Sequence, residues 1–212
     1  MQPDPVTNNY TRGVTTRKSD KDETWFKDER WFGIGTRQLP ADNSVDTMIS
    51  GRTERVWNDI NNWSDRPRYM ISEIDTYSKV EEDESDWDTY AQANCTYVQL
   101  DHVPGTEDWG ELIDALRAGK HFYCTGEILL HKASYEDGAA DCTFSWTYPL
   151  EYVELVYSDG ETVKNIRKSM SHSVGFGQED FHFDFPKGMK WARVAAVDIA
   201  GNSCFGMPVF LK

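Results

Sequence analysis

Short stretches of alternating apolar and polar residues recur through residues 133–212, and this pattern limits the fold more than any other feature of the sequence. The clearest is 181–185, where Phe alternates with His and Asp before Pro186 ends the stretch. Side chains alternate between the two faces of a β-strand, so the pattern is typical of strands with one buried face. Further stretches of this kind are 143–148, 152–157, 163–166, 191–198 and 205–211. Short strands separated by turn residues predict an antiparallel, immunoglobulin-like β-sandwich over residues 133–212.

The middle of the chain carries a strand–helix–strand pattern. Residues 95–100 alternate like a strand, and 122–124 form a second apolar strand. Between them, apolar residues three and four positions apart predict a helix that Asp108 begins and Gly119 ends, with Glu111 as the capping-box partner of Asp108. A helix between two strands predicts a parallel βαβ unit with a right-handed crossover.

The first part of the chain has less regular patterning. Residues 1–24 are polar and lack apolar periodicity, which predicts a flexible arm. Residues 25–66 carry regularly spaced Trp and Phe, with a helix predicted at 53–63 and a strand at 69–75. These aromatic side chains need a surface to pack on. We therefore expect this segment to lie across the α/β region or against another chain.

The predicted fold class is α+β, with a small βαβ-containing region followed by the antiparallel β-sandwich. The predicted division is a flexible arm (1–24), an aromatic-rich segment plus α/β region (25–132) and a β-sandwich domain (133–212).

The charge of the chain excludes some classes of partner. Lys and Arg number 22 against 36 Asp and Glu, a net charge of −14. Phosphate backbones and anionic membranes would be repelled, so we expect no nucleic-acid or membrane partner. No apolar run reaches the ~18 residues of a membrane span. No signal-peptide pattern follows Met1, which favours the cytoplasm.

Four cysteines, Cys95, Cys124, Cys142 and Cys204, lie in apolar or strand-like stretches. Their spacing does not match a zinc site. We predict buried thiols, because unpaired Cys is among the most buried residue types. Disulfides remain the alternative if the chain is exported.

Four residues are candidates for a binding cleft. Glu73 and Asp75 lie two residues apart, on one face of a predicted strand. They could bind a cation, but we favour an ion pair or cap at the strand end. Glu127 lies in a stretch that could line a pocket, and the favoured alternative is a turn or bulge. His102 follows Asp101, but neighbours on a strand point to opposite faces, which argues against a joint role.

The remaining histidines give weaker predictions. His182 and Asp184 share the polar face of an amphipathic strand, and we expect that face to contact solvent rather than a metal. His121 and His131 flank one strand region, but they are too far apart in sequence to predict a shared site.

Two groups of sequence segments, taken together, resemble a known family. The first group is 69–77, 97–104, 109–119 and 122–129, and the second is 146–160, 191–198 and 206–209. In order and spacing they resemble the C-terminal part of CehA/McbA-type metallohydrolases of the PHP (polymerase and histidinol phosphatase) superfamily. The resemblance covers roughly residues 30–212.

In that family, an N-terminal distorted barrel holds a metal cluster that activates water for ester or phosphoester hydrolysis, and a small β-sandwich follows. The resemblance implies that this chain holds only the end of the barrel and the sandwich. The family's metal site needs a His-x-His pair, which this sequence lacks. Thr36 and Arg37 also stand where the family often has Ser and Asp. We therefore expect no cofactor in this chain, unless a divalent metal site is rebuilt or is supplied by a partner.

Three functions are compatible with the sequence. The first is the C-terminal region or a diverged relative of a metal-dependent hydrolase. It would be inactive alone and act as a structural, substrate-cleft or docking module, with a barrel-supplying partner chain or a homo-oligomer. The second is a stand-alone immunoglobulin-like module that binds carbohydrate or protein. The third is an intact enzyme whose site is built from Glu73, Asp75, His102 and Glu127.

Overall fold

The computed structural model describes residues 18–37, 51–73, 95–106 and 108–211. In chain order, the helices and strands of this part are α1 (Thr24–Lys27), β1 (Gly33–Arg37), α2 (Gly51–Trp63), β2 (Tyr69–Glu73), β3 (Cys95–Val98), α3 (Gly110–Arg117), β4 (His121–Cys124), β5 (Ile128–Glu136), β6 (Ala139–Trp146), β7 (Leu150–Ser158), β8 (Val163–Ser169), β9 (Gly177–Asp184), β10 (Trp191–Asp198), β11 (Ser203–Gly206) and β12 (Val209–Phe210). A short 3-10 helix, Lys18–Asp22, precedes them. Residues 1–17 of the predicted arm lie outside the described residues.

A large antiparallel sheet forms the central layer. Its strand order is β3-β4-β11-β10-β7-β8, and β12 also pairs with β10. Six consecutive residues of β10, 191–196, are buried, because both faces of this strand are covered. Ala192, Val194 and Ala196 join one apolar cluster, whereas Ala195 joins a second cluster on the opposite face. The nearly continuous apolar sequence of β10 follows from this two-sided burial.

The smaller antiparallel sheet, β5-β6-β9, covers one face of the central sheet. Phe144 on β6 and Phe181 and Phe183 on β9 point into the cluster shared with the central sheet. The residues that alternate with the buried positions on these strands, such as Asp141 on β6 and His182 on β9, are exposed. Antiparallel, sandwich-like sheets are therefore confirmed, and the likeness to an immunoglobulin domain stays a prediction.

The aromatic-rich N-terminal segment covers the other face of the central sheet. β1 and β2 pair in parallel, and α2 connects them, so this part is a βαβ unit. Phe26, Trp57 and Ile60 pack against Tyr123 and Phe205 of the central sheet. The expectation that this segment needs a surface to pack on is confirmed, and that surface lies within the chain. We call α1, β1, α2 and β2 the N-terminal layer.

The pairing of β1 with β2 depends on Gly33. A Cβ atom at this position would lie 2.2 Å from the backbone oxygen of Tyr69, closer than any side chain allows. Gly33 thus permits the two strands to approach where a larger residue would hold them apart.

The predicted parallel pairing of the strands at 95–100 and 122–124 is wrong. β3 and β4 pair antiparallel, and the parallel βαβ unit lies earlier in the chain, at β1-α2-β2. A crossover helix must cover a sheet face, whereas α3 has eight residues of which only Ala115 is buried. The chain therefore returns alongside β3 instead of crossing over the sheet.

The structure confirms the predicted C-terminal end of α3 but not its predicted N-terminal cap. Gly119 adopts φ +70°, and its N–H donates to the Leu116 carbonyl while that of Lys120 donates to the Ala115 carbonyl, which is a Schellman ending. At the other end, Trp109 is the N-cap residue. Among the described residues, the Asp108 carboxylate accepts the Gly110 N–H at 3.1 Å and no N–H of the first helical turn beyond it, so the predicted capping box does not form.

The predicted division of the chain at residue 132 stays a prediction. β3 and β4, from the part predicted as the α/β region, share the central sheet with β7, β8 and β10 from the predicted sandwich. In the described ranges, no helix is both long and apolar enough to cross a bilayer.

Candidate functional site

A cleft of about 510 Å³ opens where the β3–β4 end of the central sheet meets β5 of the smaller sheet. This volume lies within the usual range for small-molecule sites. The lining residues come from β3, β4, β5 and β12, from the connections on either side of α3 and from the connection after β11. They include Tyr97, Gln99, Lys120, His121, Phe122, Leu129, Leu130, His131, Lys132, Tyr135, Met207 and Val209.

An aromatic pair forms one wall of the cleft. Tyr97 on β3 and Phe122 on β4 are directly opposite in the sheet register. Their rings stack with centroids 4.9 Å apart and planes inclined by 9°. Tyr97 remains 42% exposed, so the pair presents an apolar surface to the cleft.

A β-bulge on β5 places His131 at the cleft. Leu130 pairs with Phe144 and Lys132 pairs with Thr143, so His131 is the extra residue between them. A bulge bends the strand and redirects the side chain at that point. The Nε2 atom of His131 lies 2.7 Å from the Ser145 hydroxyl oxygen, which fixes the orientation of the ring.

His121 also touches the cleft, but its ring points to the other face of the central sheet, towards β2 of the N-terminal layer. Its Nε2 atom lies 3.3 Å from the Met70 carbonyl oxygen, and its ring packs edge-on against Tyr69. Burial lowers the pKa of His121 to about 4, so the imidazole is neutral near pH 7 and Nε2–H donates to Met70. Nδ1 is then an acceptor, and it is buried without a hydrogen-bond partner among the described residues.

The charges around the cleft differ from those of the chain as a whole. Lys120, His131 and Lys132 line it, and the described lining residues include no Asp or Glu. The full chain has a net charge of −14. A basic cleft whose described lining holds no carboxylate would attract anions in so acidic a chain, and its apolar walls would contact the rest of a ligand.

Of the four predicted site residues, the structure describes the side chains of His102 and Glu127. Glu73 is the last residue of β2 and pairs in register with Arg37, and Asp75 lies outside the described residues. His102 is exposed in the loop after β3, where its Nε2 lies 3.4 Å from a carboxylate oxygen of Glu111. No hydrogen bond or ion pair links His102 to Glu127, the two of the four whose side chains the structure describes.

Glu127 belongs to a turn, as the favoured alternative predicted. It adopts φ +67°, next to Gly126 at φ +111°, between β4 and β5. Its backbone carbonyl accepts the N–H of Thr147 at 3.0 Å, and its side chain is exposed. The turn sets the position of β5 and thereby of the cleft wall.

The structure also describes the surroundings of the other histidines that the sequence singled out, His182, His121 and His131. His182 is exposed, as expected, with Nδ1 2.8 Å from Asp141 and Nε2 3.2 Å from Asp184. These two carboxylates raise the pKa of His182. His121 and His131, which are too far apart in sequence to predict a shared site, are both among the lining residues of the cleft, but the His121 ring faces the N-terminal layer.

Sequence reasoning missed the cleft, although a charge signal was present. Lys120 with His121 and His131 with Lys132 flank the β4–β5 turn at its two ends. Residues 119–134 contain Glu127 as their single acidic residue, within an otherwise acidic part of the chain. Basic residues at both ends of one short connection between strands would have indicated a shared basic surface.

The structure records all four cysteines as thiols, with Cys124, Cys142 and Cys204 buried and Cys95 partly buried. Within the described ranges, no group of three or more His, Cys, Asp or Glu side chains is placed to hold a metal ion. The expectation of no cofactor stays a prediction. A scan against known protein families gives no match for this chain, and a search of curated proteins finds none similar to it.

Proposed function

We propose that the chain acts as a non-catalytic binding module, and that its cleft binds an amphipathic organic anion. The observation that carries this proposal is a cleft lined by Lys120, His131 and Lys132, with no carboxylate among its described lining residues, in a chain of net charge −14. The ligand class is an aromatic or aliphatic body with one carboxylate, sulfonate or phosphate group.

The apolar part of the ligand would lie against the stacked rings of Tyr97 and Phe122 and the side chain of Leu129. An aromatic pair already held in register loses little conformational freedom on binding. Burial of apolar surface contributes roughly 25 cal/mol per Å², so this wall supplies affinity without selecting the head group.

The anionic group would lie near Lys120 and Lys132. Both lysines are exposed, so each contributes modestly to affinity and more to selection of negative charge. The rest of the acidic surface repels an anion, which favours this cleft over other binding positions.

Paired probes test the proposal by calorimetric titration. Anilinonaphthalene sulfonate carries an aromatic body and an anionic group, and N-phenylnaphthylamine is its uncharged counterpart. We expect one molecule of the sulfonate to bind more tightly than the neutral probe, and its affinity to fall as salt rises. The Lys120→Gln/Lys132→Gln double variant should bind the sulfonate about threefold to tenfold more weakly and the neutral probe unchanged.

Lys187 provides the matched control, because it is exposed on the connection between β9 and β10 and does not line the cleft. Lys187→Gln should bind both probes as the unaltered chain does. Equal affinity for the two probes, or equal effects of the cleft and control substitutions, would contradict the proposal.

We also propose that the chain is a region or diverged relative of a PHP-type hydrolase and is inactive by itself. Two features support this proposal. The first is the set of sequence segments in 69–129 and 146–209 that resemble the family. The second is the parallel β1-α2-β2 unit, since parallel βαβ units build α/β barrels. In this second proposal, the cleft contributes to a substrate site that a barrel-supplying partner or a second copy completes.

Native mass spectrometry with an activity assay tests this relationship. We expect no hydrolysis of p-nitrophenyl phosphate esters by the isolated chain with added Mn²⁺ or Zn²⁺. We expect hydrolysis to accompany a larger complex. Metal-dependent hydrolysis by the single chain would show that a site is present, and the proposal of an inactive module would then be wrong.

A further inference from the structure

Three cysteines lie side by side across three neighbouring strands of the central sheet. Cys95 on β3 is directly opposite Cys124 on β4, and Cys124 is directly opposite Cys204 on β11. Directly opposite residues of antiparallel strands project from the same face of a sheet. The three thiols therefore form a row with Cys124 at its centre.

The hydrogen-bond pattern fixes the spacing between Cys124 and Cys204. The Thr125 N–H donates to the Ser203 carbonyl at 2.9 Å, which makes this neighbouring pair the hydrogen-bonded type. Hydrogen-bonded and non-hydrogen-bonded pairs alternate along antiparallel strands, so Cys124 and Cys204 form a non-hydrogen-bonded pair. Such pairs have Cα atoms about 4.5 Å apart, within the range that a disulfide bridges.

The other pair in the row is wider. The Gln99 N–H donates to the Lys120 carbonyl at 2.8 Å, and the Cys95–Cys124 pair lies four positions along the same ladder. It therefore has the hydrogen-bonded spacing of about 5.5 Å between Cα atoms, which a disulfide also bridges. Cys124 is thus within disulfide reach of both neighbours.

The surroundings of the row distinguish its members. The Gly126 N–H donates to Cys124 Sγ at 3.1 Å, and a hydrogen bond from the Cys204 thiol is the largest cause that lowers the pKa of Cys124. Burial raises the pKa of Cys204, which keeps its proton. Cys95 is partly buried at the end of the row, whereas Cys124 and Cys204 are fully buried. Burial also raises the pKa of the Cys95 thiol, so its exposure, rather than a low pKa, makes it the point at which an oxidant reaches the row.

We propose that Cys95, Cys124 and Cys204 form an oxidative modification site, in which hydrogen peroxide reacts at Cys95 and the disulfide comes to rest between Cys124 and Cys204. This inference is independent of the binding function proposed for the cleft.

The chemistry balances as one peroxide and two thiols giving one disulfide and two waters. The Cys95 sulfur attacks a peroxide oxygen and breaks the O–O bond, which forms a sulfenic acid and releases the first water. Cys124 then displaces the sulfenic oxygen as the second water and forms a disulfide with Cys95. Cys204 finally attacks Cys124 Sγ and expels Cys95, which takes up the Cys204 proton. In the last step the attacking, central and leaving sulfurs lie along one row.

Peptide mapping of the native full chain tests the site. The protein is treated with one equivalent of hydrogen peroxide, denatured in iodoacetamide and digested without reductant. We expect a Cys124–Cys204 linked peptide, with Cys95 and Cys142 alkylated. A sulfinic acid on Cys95 without a disulfide, a disulfide through Cys142, or a link between two chains would overturn the proposal.

Substitutions separate the three roles. Cys204→Ser should stop the reaction at the Cys95–Cys124 disulfide. Cys95→Ser should give the same final disulfide about tenfold more slowly, because the remaining thiols are buried. Cys142→Ser is the matched control, since Cys142 is buried on the opposing sheet, and it should leave rate and product unchanged. If Cys204→Ser does not fold, Cys204→Ala replaces it. An unchanged rate in Cys95→Ser would contradict entry through Cys95.

Discussion

The two faces of the central sheet are buried by different means. The face towards the smaller sheet packs with apolar side chains, among them Phe144, Leu155 and Val194. The face towards the N-terminal layer buries Trp57 together with the charged side chain of Arg193. Alternating strands suffice to form the first interface, whereas the second depends on specific polar contacts between segments far apart in the chain.

Arg193 shows how the second face tolerates a charge. Its guanidinium lies 4.6 Å from the Trp57 ring centroid and 5.3 Å from that of Phe205. Nη2 donates to the Glu54 carboxylate and, at 3.3 Å, to Asn58 Oδ1. Nε and Nη1 have no hydrogen-bond partner among the described residues, and the flanking rings stabilise the cation in their place.

Arg68 performs a similar role within the N-terminal layer. Its guanidinium donates to the backbone carbonyls of Phe26 and Trp31 and to the Ser64 hydroxyl. Burial lowers the pKa of Arg68 to about 10, so the side chain stays charged near neutral pH. One arginine thereby holds segments that have few regular backbone hydrogen bonds between them.

The largest expected effect comes from removing the aromatic anchor of the second face. Trp57 is fully buried, and its Nε1–H donates to the Arg68 carbonyl at 2.7 Å. Trp57→Ala should lower the free energy of unfolding by about 3–5 kcal/mol, as measured by urea denaturation. Phe144→Ala is the matched substitution on the apolar face, with a similar expected loss. A loss below about 1 kcal/mol for Trp57→Ala would mean that the layer contributes little packing.

The next effect concerns acid stability and His121, on the N-terminal face of the sheet. Its pKa is about 4 when folded, against an ordinary value of 6.5. Between these values the unfolded chain binds more protons, so stability is lost as pH falls from 6.5 to 4 and is fully present above 6.5. The loss is about 3 kcal/mol. His121→Asn should show a flatter dependence of unfolding free energy on pH across this window, and an unchanged slope would contradict the assignment.

A smaller effect is expected when Arg193 loses its partner. Glu54→Gln leaves a buried guanidinium without its carboxylate and should cost about 2–3 kcal/mol, because Glu54 is itself partly exposed. The Glu54→Gln/Arg193→Met double variant should be more stable than Glu54→Gln alone, since it removes the unpaired charge. If the double variant is the less stable of the two, the rings and Asn58 stabilise the guanidinium without Glu54, and the Glu54 carboxylate is not required for the charge to be tolerated.

The smallest effect is expected at His182, on the solvent face of the smaller sheet. Its pKa is raised by Asp141 and Asp184, the opposite direction to His121. Its contribution to stability is therefore present below the unfolded pKa and lost as pH rises through the folded value. NMR titration of the histidine rings should find His182 above 6.5 and His121 below it. His182→Gln should change thermal stability little, since the group is exposed.

Sequence patterning predicted the apolar face well for a physical reason. In 181–185 and 191–198 the identity of alternate residues specifies which side chains are buried, and β9 and β10 lie where the pattern placed them. The direction of β4 could not be read in the same way. A helix between two strands can connect a parallel or an antiparallel pair. The helix ending at Gly119 occurs in both cases, so it does not show which of the two forms.

The second face and the cleft could not be predicted from local patterns. β1 is defined by the close approach of Gly33 to the Tyr69 backbone, and no periodicity signals such a contact. The cleft assembles side chains from Tyr97 to Val209, so its lining depends on the register of four strands. The signal that did exist was the clustering of basic residues around the β4–β5 turn.

The central claim, that the cleft binds an amphipathic anion, is tested most directly by mapping amide chemical shifts during titration with anilinonaphthalene sulfonate. We predict that the largest changes occur at Tyr97, Phe122 and His131 and saturate together. The competing surface is the exposed apolar pair Val174 and Phe176, at 71% and 88% exposure. The largest changes at that pair, or changes that do not saturate, would contradict the claim.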